Sequence, residues 1–257
     1  MKLSLKRRIV QITAFILCNL GFVQALKTGV VCPFLYCYGC PFAAFACPIG
    51  ALQQFIVLGR FPLLTMGSLG VYGMVFGRFL CGWACPFGAF QDVVNNLRGG
   101  RSSQPSRYWY VKYAVLILTL TLSWLTMDTL FCKICPSGSL FASIPFIVLY
   151  HQSVTIGPYF YIHILTLILT ITLTILISRF WCRYLCPLGA VAGVFNRLSL
   201  VTIELERDKC TKCLLCLEDC VMGIGRLEDI GSTDCILCGR CVEKCPQKAL
   251  KITVKTV

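Results

Sequence analysis

Residues 78–92, RFLCGWACPFGAFQD, close an apolar run, and a near-copy, RFWCRYLCPLGAVAG at 179–193, closes a second one further along the chain. Each opens on an arginine and carries a Cys-x3-Cys-Pro element. With both runs ending at one membrane face, Cys81, Cys85, Cys182 and Cys186 supply four thiolates, the complement of one iron–sulfur cluster. Proline after the second cysteine has no backbone donor, so the chain turns there and a new amphipathic segment begins, FGAFQDVVNNLR or LGAVAGVFNRLS. Arg78 and Arg179 offset the negative charge of a thiolate-bound cluster and mark the lipid interface. The simpler alternatives for these cysteines are a dithiol pair or helix packing.

Composition agrees with a membrane body. Of 257 residues, 57% are hydrophobic and 14% charged, far from an average globular domain. Nineteen cysteines are too few for a small disulfide scaffold and too many for an ordinary enzyme. The net charge of +13 is uneven. Residues 1–204 hold fifteen Lys/Arg against Asp92, Asp128 and Glu204, whereas 205–257 holds nine basic against eight acidic residues. The basic residues flank apolar runs and form no single stripe, which excludes a nucleic-acid partner.

Four runs are long enough to span a bilayer: Ile9–Leu26, Pro62–Leu80, Tyr110–Leu130 and Tyr159–Phe180. Gly67, Gly70, Gly73 and Gly77 give the second a small-residue face expected to pack on a neighbour. PIGALQQFIVLGRF, 48–61, reads as an interfacial or re-entrant helix. Lys2, Lys6, Arg7, Arg8, Arg78, Arg98, Arg101, Arg107, Lys112, Arg179, Arg183 and Arg197 lie on one side, against Lys27, Arg60 and Lys133 on the other. That bias predicts a multi-pass protein of the cytoplasmic membrane with both termini cytoplasmic. A cleaved signal peptide is the alternative for the N-terminus and leaves the other spans oriented as before.

On this topology Cys81, Cys85, Cys182 and Cys186 meet at the cytoplasmic surface, and Cys32, Cys37, Cys40, Cys47, Cys132 and Cys135 face the opposite side. Cys18, inside a span, reads as a small apolar residue. In the tail, CTKCLLCLEDC (210–220) and CILCGRCVEKCP (235–246) each read C-x2-C-x2-C-x3-C, the bacterial ferredoxin run, whose fourth cysteine crosses to the other cluster. The expected sets are Cys210, Cys213, Cys216 and Cys245 for one [4Fe–4S] cluster, and Cys220, Cys235, Cys238 and Cys241 for the other. Zinc would leave the third cysteine of each triplet idle. Val221 stands where the run usually has proline. The fold expected is therefore an all-α four-helix transmembrane domain, 1–204, with Cys-Pro motifs on both faces. A small α+β two-[4Fe–4S] ferredoxin domain, 205–257, follows on the cytoplasmic side.

These Cys-Pro pairs, the four spans and the double ferredoxin run resemble the NapH-type membrane quinol dehydrogenases, polyferredoxins related to the NosR-type proteins, over residues 62–257. The resemblance implies menaquinol oxidation at the membrane and electron transfer through iron–sulfur centres to a partner redox protein, a ferredoxin-like subunit or terminal reductase. The chain would then be the electron-transfer subunit of a quinol-linked oxidoreductase, in contact with membrane lipid and the quinone pool. Cupric reductases of the CcoG type also join Cys-x3-Cys-Pro elements to ferredoxin runs. A metal-reducing or metalloenzyme-maturation factor is therefore the second function class, and copper at the outer thiols would separate it from the first.

The six outer cysteines depart from the NapH-type pattern. Cys32, Cys40, Cys47 and Cys135 are each followed by proline, as at cluster turns. Either Cys37 and Cys40 join Cys132 and Cys135 in a counterpart of the inner site, or Cys32, Cys37, Cys40 and Cys47 form a site alone; disulfides are the third option. Clusters on both faces would place redox centres on each side of a hydrocarbon layer of about 30 Å. The only histidines, His151 and His163, are a poor haem pair by position. A quinol needs a proton acceptor beside an apolar slot, and Asp128, nearer membrane depth, is favoured over Asp92.

Overall fold

Proline decides where the helices begin. Cys47, Cys85, Cys135 and Cys186 each stand in extended backbone as the residue before a helix, and the proline that follows is its first residue. There the missing N–H removes no helical bond and the fixed φ is already helical. In this computed structural model, which describes residues 2–22, 26–97, 108–150 and 157–255, these helices are α2 (Pro48–Val57), α5 (Pro86–Asn96), α7 (Pro136–Gly138) and α10 (Pro187–Phe195). A π-helical stretch, Ser139–Ser143, carries α7 into α8 (Ile144–Tyr150).

Longer helices surround them: α1 (Leu3–Cys18), α3 (Leu63–Phe76), α6 (Val111–Thr126) and α9 (Pro158–Leu176), with the short α4 (Phe79–Trp83) after α3. Among the described residues only α9 is long and apolar enough to cross a membrane by itself, with 19 residues and mean hydropathy 2.0. The other apolar runs end sooner than expected, α3 at Phe76 and α6 at Thr126. The glycine face of α3 packs in part. A Cβ at Gly73 would lie 2.6 Å from the Phe195 ring of α10, and Gly77 turns at φ +53° against Asn196, whereas Gly67 and Gly70 meet nothing. Of the charges used to orient the chain, Arg98, Arg101 and Arg107 lie outside the described residues, as does His151.

The inner and outer cysteines share one apolar core. Cys32, Cys40, Cys85, Cys135 and Cys186 pack there with Phe87, Phe131, Phe141 and Trp181. This corrects the expectation of sites separated by a full hydrocarbon layer. The Cys-Pro helices are short, α2 being 10 residues and hence about 15 Å long, so they start deep in the fold. The Trp181 ring, next to Cys182, and the Phe131 ring, next to Cys132, are 6.1 Å apart.

The tail has its own core of Ile203, Val221, Met222, Ile236, Leu237 and Leu250. Its antiparallel sheet pairs β1 (Val201–Leu205) with β2 (Leu250–Val254), from Val201 opposite Val254 to Leu205 opposite Leu250. Between them lie α11 (Leu215–Glu218) and α12 (Arg240–Lys244). The boundary expected at 204/205 therefore cuts through β1. Ile203 of β1 is part of the tail's core. A fragment 199–257 reconstituted anaerobically should take up about eight irons, and one starting at 205 should take up fewer, since it lacks four of five β1 residues.

Candidate functional site

The two inner Cys-Pro elements interlock. Arg179 Nη1 donates to the Cys81 carbonyl at 3.0 Å, and Arg78 Nη2 donates to the Cys182 carbonyl at 3.3 Å, so each arginine holds the other element's first cysteine. The Gly88 N–H donates to Cys85 Sγ at 3.4 Å and the Gly189 N–H to Cys186 Sγ at 3.3 Å. Gln91 Nε2 donates to Cys182 Sγ at 3.1 Å, its Oε1 being fixed by the Trp181 N–H at 3.2 Å. Burial pushes the Cys85 thiol up to about 12, and the nearby Cys182 and Cys81 add to that shift. Cys186 is raised too, by burial and by the other three thiols. Three buried cysteines with N–H donors on their sulfurs, the half-buried Cys81 beside them, and fully buried Arg78, Arg179 and Arg183 fit a metal–sulfur core whose iron supplies compensating positive charge.

On the outer side the structure brings together a mixed set. Cys37, Cys47, Cys132 and Cys135 line one cavity of about 490 Å³, and the Cys135 thiol is raised by burial and then by Cys47, Cys37 and Cys132. Cys40 turns away, within 3.6 Å of the Tyr36 hydroxyl, and Cys32 donates to the Phe34 carbonyl at 3.2 Å. Neither expected ligand set is assembled as written. The distinguishing signal was the residue three after the cysteine: Cys47, Cys85, Cys135 and Cys186 all read Cys-Pro-x-Gly, while Cys40 is followed by Pro-Phe-Ala. His163 of α9 bridges Ser143 Oγ (2.7 Å) and the Cys132 carbonyl (3.0 Å), a structural role beside this cavity.

The two ferredoxin runs fold alike. Lys212 and Leu214 in the first, and Leu237 and Gly239 in the second, take left-handed backbone two and four residues after the leading cysteine. Successive N–H groups in such turns form anion-holding concavities of the kind iron–sulfur sites use. Cys210, Cys213, Cys216 and Cys245 line one small cavity. Cys220, Cys235, Cys238 and Cys241 line the other, which Cys216 also borders. Burial raises the Cys235 thiol to about 12, and Cys238 and Cys220 oppose its ionisation further. Among the described residues no three Cys, His, Asp or Glu donors converge on a single metal ion. The thiols instead surround volumes.

The candidate carboxylates differ in setting. Asp128 is on the surface after α6, bound by Lys133 and by the Thr129 N–H at 2.7 Å, and it lines neither large cavity. Asp92, on α5, is 9% exposed. Its Oδ1 accepts from Arg179 Nε at 2.8 Å, and its Oδ2 accepts from Arg179 Nη2 at 2.6 Å and from Arg7 of α1. Burial alone would raise its pKa, but the Arg179 and Arg7 guanidiniums hold it below the usual carboxylate value. Asp92 also lines a cavity of about 930 Å³ between α1, α5 and the tail, together with Arg7, Gln11, Phe15, Phe141 and Cys238. Of the two carboxylates, Asp92 and not Asp128 borders this cavity.

Models of a 4Fe-4S binding domain match residues 34–65, 57–104 and 159–203, and a second such model matches 229–251. An uncharacterised protein of Methanocaldococcus jannaschii, MJ0750, is 28% identical over 80% of this chain and 86% of its own. The ferredoxin-type protein NapH of Escherichia coli is 27% identical over 80% of this chain and 71% of its own. Protein NirI of Paracoccus denitrificans is 31% identical over 70% of this chain, which is 27% of NirI. No solved structure matches.

Proposed function

We propose that this chain, which belongs to the NapH-type polyferredoxin family and is an iron–sulfur electron-transfer protein, takes its electrons from a membrane quinol bound in the cavity between α1, α5 and the tail. The observation that carries this reading is one apolar space of about 930 Å³ that touches both the Asp92–Arg7 pair and Cys238, a size typical of small-molecule sites. Cytoplasmic placing of both termini is supported by the Lys/Arg bias alone, and membrane embedding by α1, α3, α6 and α9 by apolar side chains exposed on all four. These include Ile12, Leu64, Ile117, Trp124, Leu165 and Leu169; so wide an apolar surface requires cover. The 16-residue α1 and α6 rise about 24 Å each, most of a hydrocarbon layer of about 30 Å.

Clusters held by Cys81, Cys85, Cys182 and Cys186 and by the two ferredoxin sets would supply one-electron carriers between a two-electron donor and a partner redox protein. The chain's own residues do the rest. Phe15, Phe90 and Phe141 form the apolar slot for the ring. Asp92 uses three of about four acceptor positions on its arginines, leaving one for a quinol hydroxyl. The hydroquinone releases two electrons and two protons, and the exposed contact of Ser4 with Glu243 lies on the lining of the same cavity. Mixing the oxidised protein with a menaquinol analogue should bleach its visible iron–sulfur absorbance. Clusters that stay oxidised with quinol yet bleach with dithionite would refute the quinol reading, and copper bound at the outer thiols would favour a metal-reducing factor instead.

A further inference from the structure

The outer cavity repeats the Cys-Pro-x-Gly turns of the inner site, although nine residues separate Cys37 from Cys47 and two separate Cys132 from Cys135 where the inner pairs have three. C-P-I-G-A-L-Q at 47–53 corresponds to C-P-F-G-A-F-Q at 85–91, and C-P-S-G at 135–138 to C-P-L-G at 186–189. The correspondence extends to contacts. Gln53, six residues after Cys47, donates from Nε2 to Cys132 Sγ at 3.4 Å, as Gln91, six after Cys85, does to Cys182 Sγ. Its Oε1 is held by Ser123 Oγ at 3.1 Å, so the amide N–H₂ faces sulfur in both places. A Cβ at Gly138 would lie 3.5 Å from the Cys132 carbonyl, as one at Gly189 would lie 3.4 Å from that of Cys182.

An independent feature points to an occupant. Ser137 lines the same cavity, is 1% exposed, and its Oγ has no hydrogen-bond partner. A buried hydroxyl without a partner is costly, and an acceptor placed among the four thiols would satisfy it. We propose that Cys37, Cys47, Cys132 and Cys135 hold a further [4Fe–4S] cluster, the pseudo-symmetric counterpart of the one at Cys81, Cys85, Cys182 and Cys186. Cys32 and Cys40 are not ligands. The new centre connects to the inner one through the Phe131 and Trp181 rings, which directly precede Cys132 and Cys182 and lie 6.1 Å apart. This assignment concerns ligation alone and does not depend on the electron donor being a quinol.

The test is iron content of the full chain purified anaerobically in detergent. Wild type should carry about 16 irons, and Cys47→Ala or Cys135→Ala about 12, while Cys40→Ala and Cys32→Ala stay at about 16. Gln53→Leu guards against misreading a folding defect. It should keep all the iron but lower the midpoint potential of one cluster, because an N–H donor to a ligating sulfur is lost. The proposal is overturned if Cys40→Ala loses as much iron as Cys47→Ala. A wild type near 12 irons with Cys37, Cys47, Cys132 and Cys135 joined in disulfides by non-reducing mass analysis would overturn it equally.

Discussion

Asp92→Asn is expected to lower the unfolding temperature sharply and to abolish reduction by quinol, while dithionite still reduces the clusters that assemble. The carboxylate lies between Arg179, which is fully buried, and Arg7, which is 6% exposed. An amide of the same shape leaves two guanidiniums buried without a counter-charge, and breaking a buried pair in that way costs about 3–5 kcal/mol. The loss spreads, because Arg179 also holds the Cys81 carbonyl and Arg7 Nε also holds the Gly82 carbonyl at 2.8 Å. The pH dependence has a definite sign. A carboxyl held below its ordinary pKa stabilises the fold above about pH 3.9 and loses that contribution on acidification through its folded value, so wild type should show an acid-induced loss that Asp92→Asn lacks. Asp128→Asn is the contrast. Its carboxylate pairs with Lys133 at the surface, and both unfolding and quinol reduction should be unchanged. Equal effects of the two substitutions would remove Asp92 from the quinol site.

What could be read from the sequence was local. Cysteine spacing within twelve residues shows the ferredoxin runs, and Cys-Pro shows where helices start, because both depend on neighbouring backbone. Partners far apart in the chain were not legible. Arg7 and Arg179 meet Asp92 across 85 and 87 residues, and nothing in the motif around Asp92 announces them, so membrane depth inferred from a hydropathy run favoured Asp128 instead. The strand Val201–Leu205 was missed for a similar reason: five residues carry little periodicity, and its pairing partner is at the other end of the tail. The choice of Cys47 over Cys40 was different, since Gly50 against Ala43 is visible in the sequence. Its meaning appears only when the glycine is seen against Cys132, whose Sγ would lie 3.5 Å from an added Cβ.

Gly82→Ala should separate the inner cysteine site from the tail without removing iron from either. Gly82 follows Cys81 directly, and a Cβ there would lie 2.3 Å from the Ile236 carbonyl oxygen and 3.3 Å from the Cys238 Cα. Both are backbone atoms of the tight turn running from Cys235 to Cys241, so neither can rotate aside as a side chain would. The contact is pinned from both sides. The Gly82 carbonyl accepts from Arg7 and, at 3.3 Å, from Gln11 Nε2, while Trp83 Nε1 donates to the Leu237 carbonyl at 3.1 Å. Further out, Lys112 pairs with Asp234 and Asn196 Nδ2 donates to the Cys235 carbonyl at 3.0 Å. With so many anchors the tail cannot shift by a few tenths of an ångström and keep them, and overpacking of this kind typically costs about 1–3 kcal/mol. Two readouts follow from that geometry. Amide hydrogen exchange at 231–239 should rise as the docked turn opens more often, and magnetic interaction between the Cys81-side cluster and the nearer tail cluster should weaken in the fully reduced protein. Iron content should match wild type, because no ligand is touched. Unchanged exchange together with unchanged magnetic coupling would mean that the turn yields to the methyl group, and that close backbone approach is not what joins the two redox centres.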